Sequence, residues 1–195
     1  RRRSSRIASR ADARSLQRET LRRPLIGRPA TRRPAPDDVP EGEVHAYTDG
    51  SASLRRGRWC AGCGVWFGER SDLNLSAILH GRVQTNNRAE TTAIILAVRR
   101  AMAWPTDLRR LVIFTDSQIC ADGVNKWMDL WEADGWTRMG NRLENADLWK
   151  VMRRALTALK QAKFQVRFQH GPAHVGIYGN EKADRLAGAA AKRTH

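Results

Sequence analysis

Leu111-Val112-Ile113-Phe114 is an unbroken apolar run that stops at Thr115-Asp116-Ser117. A run this short, with no polar residue to turn toward water, reads as a strand buried on both faces. Such a strand requires a sheet with layers packed on each side. A carboxylate follows at its end. Carboxylates and one imidazole recur at other element boundaries: in Tyr47-Thr48-Asp49-Gly50-Ser51, in Thr85-Asn86-Asn87-Arg88-Ala89-Glu90, in His174-Val175-Gly176 and in Asn180-Glu181-Lys182-Ala183-Asp184.

Each segment has a structural reading when taken alone. Asp49-Gly50 is also a hairpin-turn dipeptide. Asn87 and Glu90, three apart, fit a helix cap with a reciprocal glutamate. Asp116-Ser117 could end a strand and cap the next helix, Asp184 could be a solvated helix acid, and His174 an ordinary loop histidine. Taken together and in order they point elsewhere. Converging carboxylates cannot all stay ionised unaided, and cations that make the set tolerable give a two-metal, phosphodiester-cleaving site.

Patterning supplies the frame. Residues 44–48, 59–67 and 73–80 read as an antiparallel meander. Residues 87–103 are helical until Trp104-Pro105 ends the pattern. After the 111–114 strand come helices over 117–127 and 143–162, an alternating strand over 164–169 and a closing helix over 180–191. The result is a mixed sheet covered by helices.

With those segments and that order, the chain resembles type 1 ribonuclease H from about Glu43 to Lys192. The longest matching stretches are Thr-Asn-Asn-Arg-Ala-Glu and Gly179-Asn-Glu-Lys-Ala-Asp-Arg-Leu-Ala187. The resemblance implies the α/β ribonuclease H-like fold, a five-stranded mixed sheet with three antiparallel and then two parallel strands, flanked by helices. It implies hydrolysis of the RNA strand of RNA/DNA hybrids, leaving 5′-phosphate and 3′-hydroxyl ends. Asp49, Glu90, Asp116 and Asp184 match the family's metal-binding carboxylates for two Mg²⁺ ions, with Mn²⁺ a possible substitute. His174 matches the loop histidine that assists turnover. Asn86 and Asn87 match side chains that read the RNA minor groove, where the 2′-hydroxyl distinguishes RNA from DNA; helix capping is the other reading for both. Thr85 and Asn145 match positions that hold a DNA-strand phosphate, with a loop-to-helix cap the alternative for Asn145. Trp127, Trp131 and Trp136 resemble the family's substrate-handling protrusion, with Trp127 and Trp131 expected near the DNA strand and Trp136 in packing.

Three departures from the family pattern stand out. Ala173 replaces the usual glycine beside His174. Ile119 stands where cellular members often carry an aromatic residue. The protrusion also holds Asp129, Glu132, Asp134 and Glu144 against Lys126, Arg138 and Arg142, so it is not a basic handle.

Charge is unevenly distributed. The 195 residues carry 35 Lys and Arg against 20 acids, a formal charge of +15. Residues 1–36 hold 12 Arg, no Lys and only Asp12 and Glu19 as acids. That stretch lacks the apolar and aromatic content to order itself, so residues 1–40 read as a basic tail ahead of a catalytic domain at 41–195. A linker attracted to phosphates, the stub of an upstream domain and a transit segment are its three readings. No apolar run approaches the roughly 18 residues of a membrane helix, so no membrane partner is expected, and no small-molecule cofactor either. Cys60 and Cys63 lie three apart on a strand, pointing to opposite faces, and read as core thiols of a reducing, intracellular compartment. Nucleus, cytoplasm and mitochondrion are not distinguished.

The expected protein is a monomeric enzyme or a module of a larger polyprotein. A catalytically idle binding or assembly module on the same fold is the alternative from another class. It predicts erosion of the acidic set, and none is seen.

Overall fold

The computed structural model describes residues 39, 42–69, 71–102, 110–171 and 178–193. Strands β1 (Glu43–Arg55), β2 (Arg58–Trp66) and β3 (Leu75–Ile78) form the meander. Helix α1 (Asn86–Ala101) leads to β4 (Arg110–Thr115). Next come α2 (Gln118–Asp122), a π-helical turn at Gly123–Trp127 and α3 (Met128–Ala133). A small ribbon, β5 (Thr137–Arg138) and β6 (Asn141–Arg142), precedes α4 (Ala146–Gln161), β7 (Gln165–His170) and α5 (Tyr178–Lys192).

The main sheet has the order β3-β2-β1-β4-β7. Its first three strands pair antiparallel, while β1–β4 and β4–β7 are parallel. The expected mixed sheet is therefore present, with the apolar run as its inner strand: Leu111, Val112 and Ile113 are at most 2 % exposed.

Strand alternation assigns the covering layers. Cys63 and Gly64 are neighbours and must face opposite sides. The Cys63 thiol reaches the Ala89 carbonyl of α1 at 3.3 Å. Gly64 abuts α5 so closely that a Cβ there would stand 2.0 Å from the Ala183 carbonyl oxygen. Helix α1 thus covers one face and α5 the other, and α4 packs on α1.

Four boundaries differ from expectation for local reasons. Asp49-Gly50 is strand interior, not a turn; β1 continues to Arg55 and reverses at Arg56-Gly57, both at positive φ. The cap of α1 is Thr85, whose hydroxyl accepts from the Arg88 N–H at 3.3 Å, rather than Asn87 with Glu90. The helix expected over 117–127 widens into a π-turn where Gly123 meets the Trp149 ring; a Cβ there would lie 2.3 Å from that indole. Helix α4 begins at Ala146 instead of Leu143 because Asn145 adopts φ 54°, a left-handed conformation that a right-handed helix does not include.

Candidate active site

The site is built where the parallel pairing of β1 and β4 stops, at the carboxyl end of β4 and midway along β1. Their pairing ends at Thr48↔Thr115, so the next residues, Asp49 and Asp116, emerge side by side. Neighbouring strands are about 4.8 Å apart. Thr48 fixes this junction: its buried hydroxyl donates to the Phe114 carbonyl at 3.1 Å. Beyond β4, the Ser117 N–H donates to Thr115 Oγ1 at 3.2 Å, which shapes the turn that carries Asp116.

Asp49 lies opposite Gly64 on the α5 face, the side from which Asp184 approaches. Glu90 comes from the first turns of α1, where Gly50 lets the strand approach the helix backbone. The acids act on one another electrostatically. Burial raises the Asp49 carboxyl most, Asp116 next, and Asp184 and Glu90 add to the effect. The Gly50 N–H, 2.7 Å from Asp49 Oδ1, pulls it back, and the result is a pKa of about 7. Glu90 is also raised, first by burial and then by Asp116, against the lowering influence of a Ser117 hydroxyl that donates to Oε2 at 2.5 Å.

Residues 41–192 match the family model for RNase H. The chain belongs to the RNase H family. Ribonuclease H1 of Homo sapiens is 36% identical over 153 residues, 77% of this chain and 51% of that protein. Ribonuclease H1 of Mus musculus is 38% identical with the same coverage. Ribonuclease HI of Synechocystis sp. is 36% identical over 149 residues, covering 75% of this chain and 86% of that protein. The chain spans about half the length of the mammalian relatives it matches. Among solved structures, the solution structure of the PFV RNase H domain superposes with a TM-score of 0.61 at 24% identity, over 76% of this chain and 94% of that one. A foamy viral protease-reverse transcriptase solved with an RNA/DNA hybrid gives 0.65 at 23% identity, over 89% of this chain and 24% of that one. Both likenesses concern the fold.

The donor set suits the RNase H family's reliance on divalent cations. It offers carboxylate oxygens alone, the ligands of a hard cation such as Mg²⁺. A carboxyl raised to about 7 by burial and by neighbouring acids is also one that a bound cation would lower. Among the described residues, no three His, Cys, Asp or Glu side chains are already gathered for a metal ion.

The remaining expected site residues have distinct fates. His174 lies outside the described residues. Thr85 is exposed and caps α1. Asn86 Oδ1 accepts the Ala52 N–H at 2.6 Å, which ties the start of α1 to β1 just beyond Asp49. Asn87 is half-buried, and its carbonyl accepts from Thr91 Oγ1 at 2.7 Å. Asn145 stands at the α4 cap position without a capping bond from its side chain; its Oδ1 accepts from Arg88 Nη1 at 3.0 Å. Trp127 is half-buried, as is Trp136, which packs against the core as expected.

Trp131 is corrected by the structure. It is 8 % exposed, in contact with Trp127 at 5.6 Å and edge-on to Trp149 at 5.0 Å between ring centroids. Almost all of the ring faces protein, so it supports Trp127 and is not itself a contact surface. The cysteines are core thiols, as read: Cys60, Cys63 and Cys120 are buried and free. Burial, with Asp49 adding to it, pushes the Cys63 thiol up to about 12.

Three residues hold the site in ways the sequence reading did not assign, although it did read Asp116-Ser117 as a strand end and helix cap. Ser117 orients Glu90 and caps α2, accepting from the Cys120 N–H. Arg88, buried within the same Thr-Asn-Asn-Arg-Ala-Glu segment, forms a two-pronged pair with Asp147 at 3.0 and 2.8 Å while holding Asn145. Burial opposes ionisation of Asp147, yet the Arg88 bonds and charge hold its carboxyl below the usual range. His170 ends β7 with Nε2 3.2 Å from the Asp116 carbonyl oxygen. The capping of α2 by Ser117 was legible from its place after Asp116; the bonds of Ser117 to Glu90 and of Arg88 to Asp147 had no local signal.

Proposed function

We propose that the protein is an endoribonuclease that hydrolyses the RNA strand of RNA/DNA hybrids and leaves 5′-phosphate and 3′-hydroxyl ends. The observation that carries this reading is that Asp49 and Asp116 emerge side by side where the β1–β4 pairing ends, with Glu90 and Asp184 close enough to act electrostatically on Asp49. The curated relatives are ribonucleases H, and one fold relative was solved with an RNA/DNA hybrid.

Asp49, Glu90, Asp116 and Asp184 would hold two divalent ions, Mg²⁺ by hardness and with Mn²⁺ able to substitute. Once bound, such a pair supplies Lewis acidity toward the scissile phosphate and lowers the pKa of the attacking water. The protein's own groups set the geometry. The Gly50 N–H fixes one Asp49 oxygen, Ser117 fixes one Glu90 oxygen, and His170 steadies the Asp116 backbone. His174 moves a proton near neutral pH during turnover. Asn86 and Asn87 read the RNA minor groove beside Glu90. Asn86 suits this because its carbonyl oxygen is engaged by Ala52, which aims its amide group at a fixed direction. Thr85, Asn145 and Trp127 receive the DNA strand, with Arg88 bracing Asn145.

Free enzyme and polyprotein module are both compatible with this chemistry. The three free cysteines suit a reducing compartment.

The test is cleavage of a labelled RNA/DNA hybrid beside double-stranded RNA and double-stranded DNA, with the ends mapped. Cutting confined to the hybrid's RNA strand supports the reading; equal cutting of double-stranded DNA would overturn it.

A further inference from the structure

The tip of the β1–β2 hairpin breaks two local rules at once. Arg55 and Arg58 are direct partners across the strands, and like charges placed opposite each other destabilise a hairpin. The two-residue turn between them is Arg56-Gly57, with φ of 45° and 75°. A turn with both central residues at positive φ favours Asn-Gly, and an arginine there carries a conformational cost. Sequence choices that disfavour the local structure without a packing gain mark functional positions. Among the described residues, no carboxylate forms an ion pair with Arg55, Arg56 or Arg58.

Helix α5 brings more charge to the same place. It runs along the sheet from Gly64, beside Asp49, past Gly62, so that Lys192 and Arg193 line one open cleft with the three hairpin arginines. Arg193 is anchored by Ser76 Oγ at 2.9 Å. A basic cleft of this kind matches a nucleic-acid backbone in charge.

From these observations we infer that the hairpin tip and the end of α5 form a second nucleic-acid-binding surface, which grips the phosphate backbone of the duplex whose RNA strand lies at the four carboxylates. This rests on the proposed reading of the carboxylate site and extends it. Asp49 and Arg55 belong to one continuous strand, six residues apart, or about 20 Å. Asn86, which clamps Ala52, lies between them. The surface therefore engages substrate roughly six base pairs from the cut, at about 3.4 Å per base pair.

The experiment uses the full chain carrying Arg55→Gln, Arg56→Asn, Arg58→Gln and Lys192→Gln together. These side chains are exposed and Asn suits the turn, so the variant is expected to melt no lower than the parent. Binding of 8- and 18-base-pair RNA/DNA hybrids is measured by anisotropy in EDTA across a salt series, without reference to cleavage. An 8-base-pair hybrid centred on the acids reaches about 14 Å either way and stops short of the patch; the longer one passes it. For the 18-base-pair hybrid, affinity is expected to fall at least ~10-fold, and the slope of log K against log salt to shrink by about 0.9 for each lost contact. The short hybrid should be unaffected. Arg55→Lys with Arg58→Lys should retain the parent slope, because charge is what the surface supplies. An unchanged slope on the long hybrid, or equal losses on both lengths, would overturn the proposal. Failure of the parent to cut any hybrid would count against the ribonuclease reading alone, because the binding comparison does not depend on cleavage.

Discussion

Gly50 lies against the backbone nitrogen of Glu90, so that a Cβ built on Gly50 would stand 2.2 Å from that atom. This contact sets the distance between the strand that carries Asp49 and the helix that carries Glu90. Neither partner atom belongs to a flexible side chain, so the clash cannot be relieved by a rotamer change. Gly50→Ala is therefore expected to cost about 2 kcal/mol or more. In a domain of this size that is a fall in Tm of about 4–8 °C, read from a thermal melt, with cleavage reduced because the two acids are pushed apart.

The Asp49 carboxyl titrates near 7, against an ordinary value of 3.8. In the metal-free protein the native state thus keeps a proton that the unfolded chain has already lost, so this group costs stability as pH rises from about 4 to about 7. Asp49→Asn should raise the Tm in EDTA at pH 8 and leave it nearly unchanged at pH 4. Below pH 7 the proton competes with cations, so divalent-ion affinity measured by calorimetry should weaken as pH falls, with proton release on binding. Equal Tm gains at both pH values would contradict this assignment.

The Ser117 hydroxyl donates to Glu90 and lowers a carboxyl that burial raises. Ser117→Ala should move the acid limb of the pH–rate profile upward and lower kcat by up to about 10²-fold, the loss that a displacement of about 1 Å can bring. Loss of the α2 cap adds about 1 kcal/mol of destabilisation. Steady-state kinetics from pH 5 to 9, alongside melts, separate the two effects.

Arg88 is 7 % exposed and pairs with Asp147 through two nitrogens. Arg88→Ala leaves that carboxylate without its partner, with an expected loss of about 3–5 kcal/mol in chemical denaturation. The milder Asp147→Asn, which keeps a hydrogen-bonding group, should retain more stability. Both should raise the KM for hybrid, because Asn145 loses its brace.

The tryptophans separate by burial. Trp131→Ala removes a core ring, at an expected cost of about 3–5 kcal/mol. Trp127→Ala should instead act mainly on hybrid binding. Denaturant midpoints and KM values for the two variants distinguish a core residue from a contact residue.

Local chemistry explains which features were legible in the sequence. The apolar run at 111–114 specified the inner strand because no residue in it could face water, and the acid after it fell at the strand end for the same reason. Alternation separated Cys60 from Cys63 and excluded a shared metal site. Asp49-Gly50 was ambiguous because turn and strand use the same dipeptide; the decision came from α1 packing on Gly50, a contact 40 residues away in the chain. Trp131 looked like a ligand surface by spacing, yet Trp149 closes over it from α4. Ser117 and Arg88 act on partners 27 and 59 residues away, and no local pattern announces such bonds.

The most direct test of the carboxylate site compares Asp116→Asn with the parent protein on one labelled RNA/DNA hybrid in Mg²⁺, measuring cleavage and binding on the same sample. The account predicts that cleavage is abolished while binding is kept or tightened, because one negative charge leaves the site that faces the phosphates. Cleavage at the parent rate would show that Asp116 does not belong to a cation-binding set, and would remove the basis for the proposed mechanism.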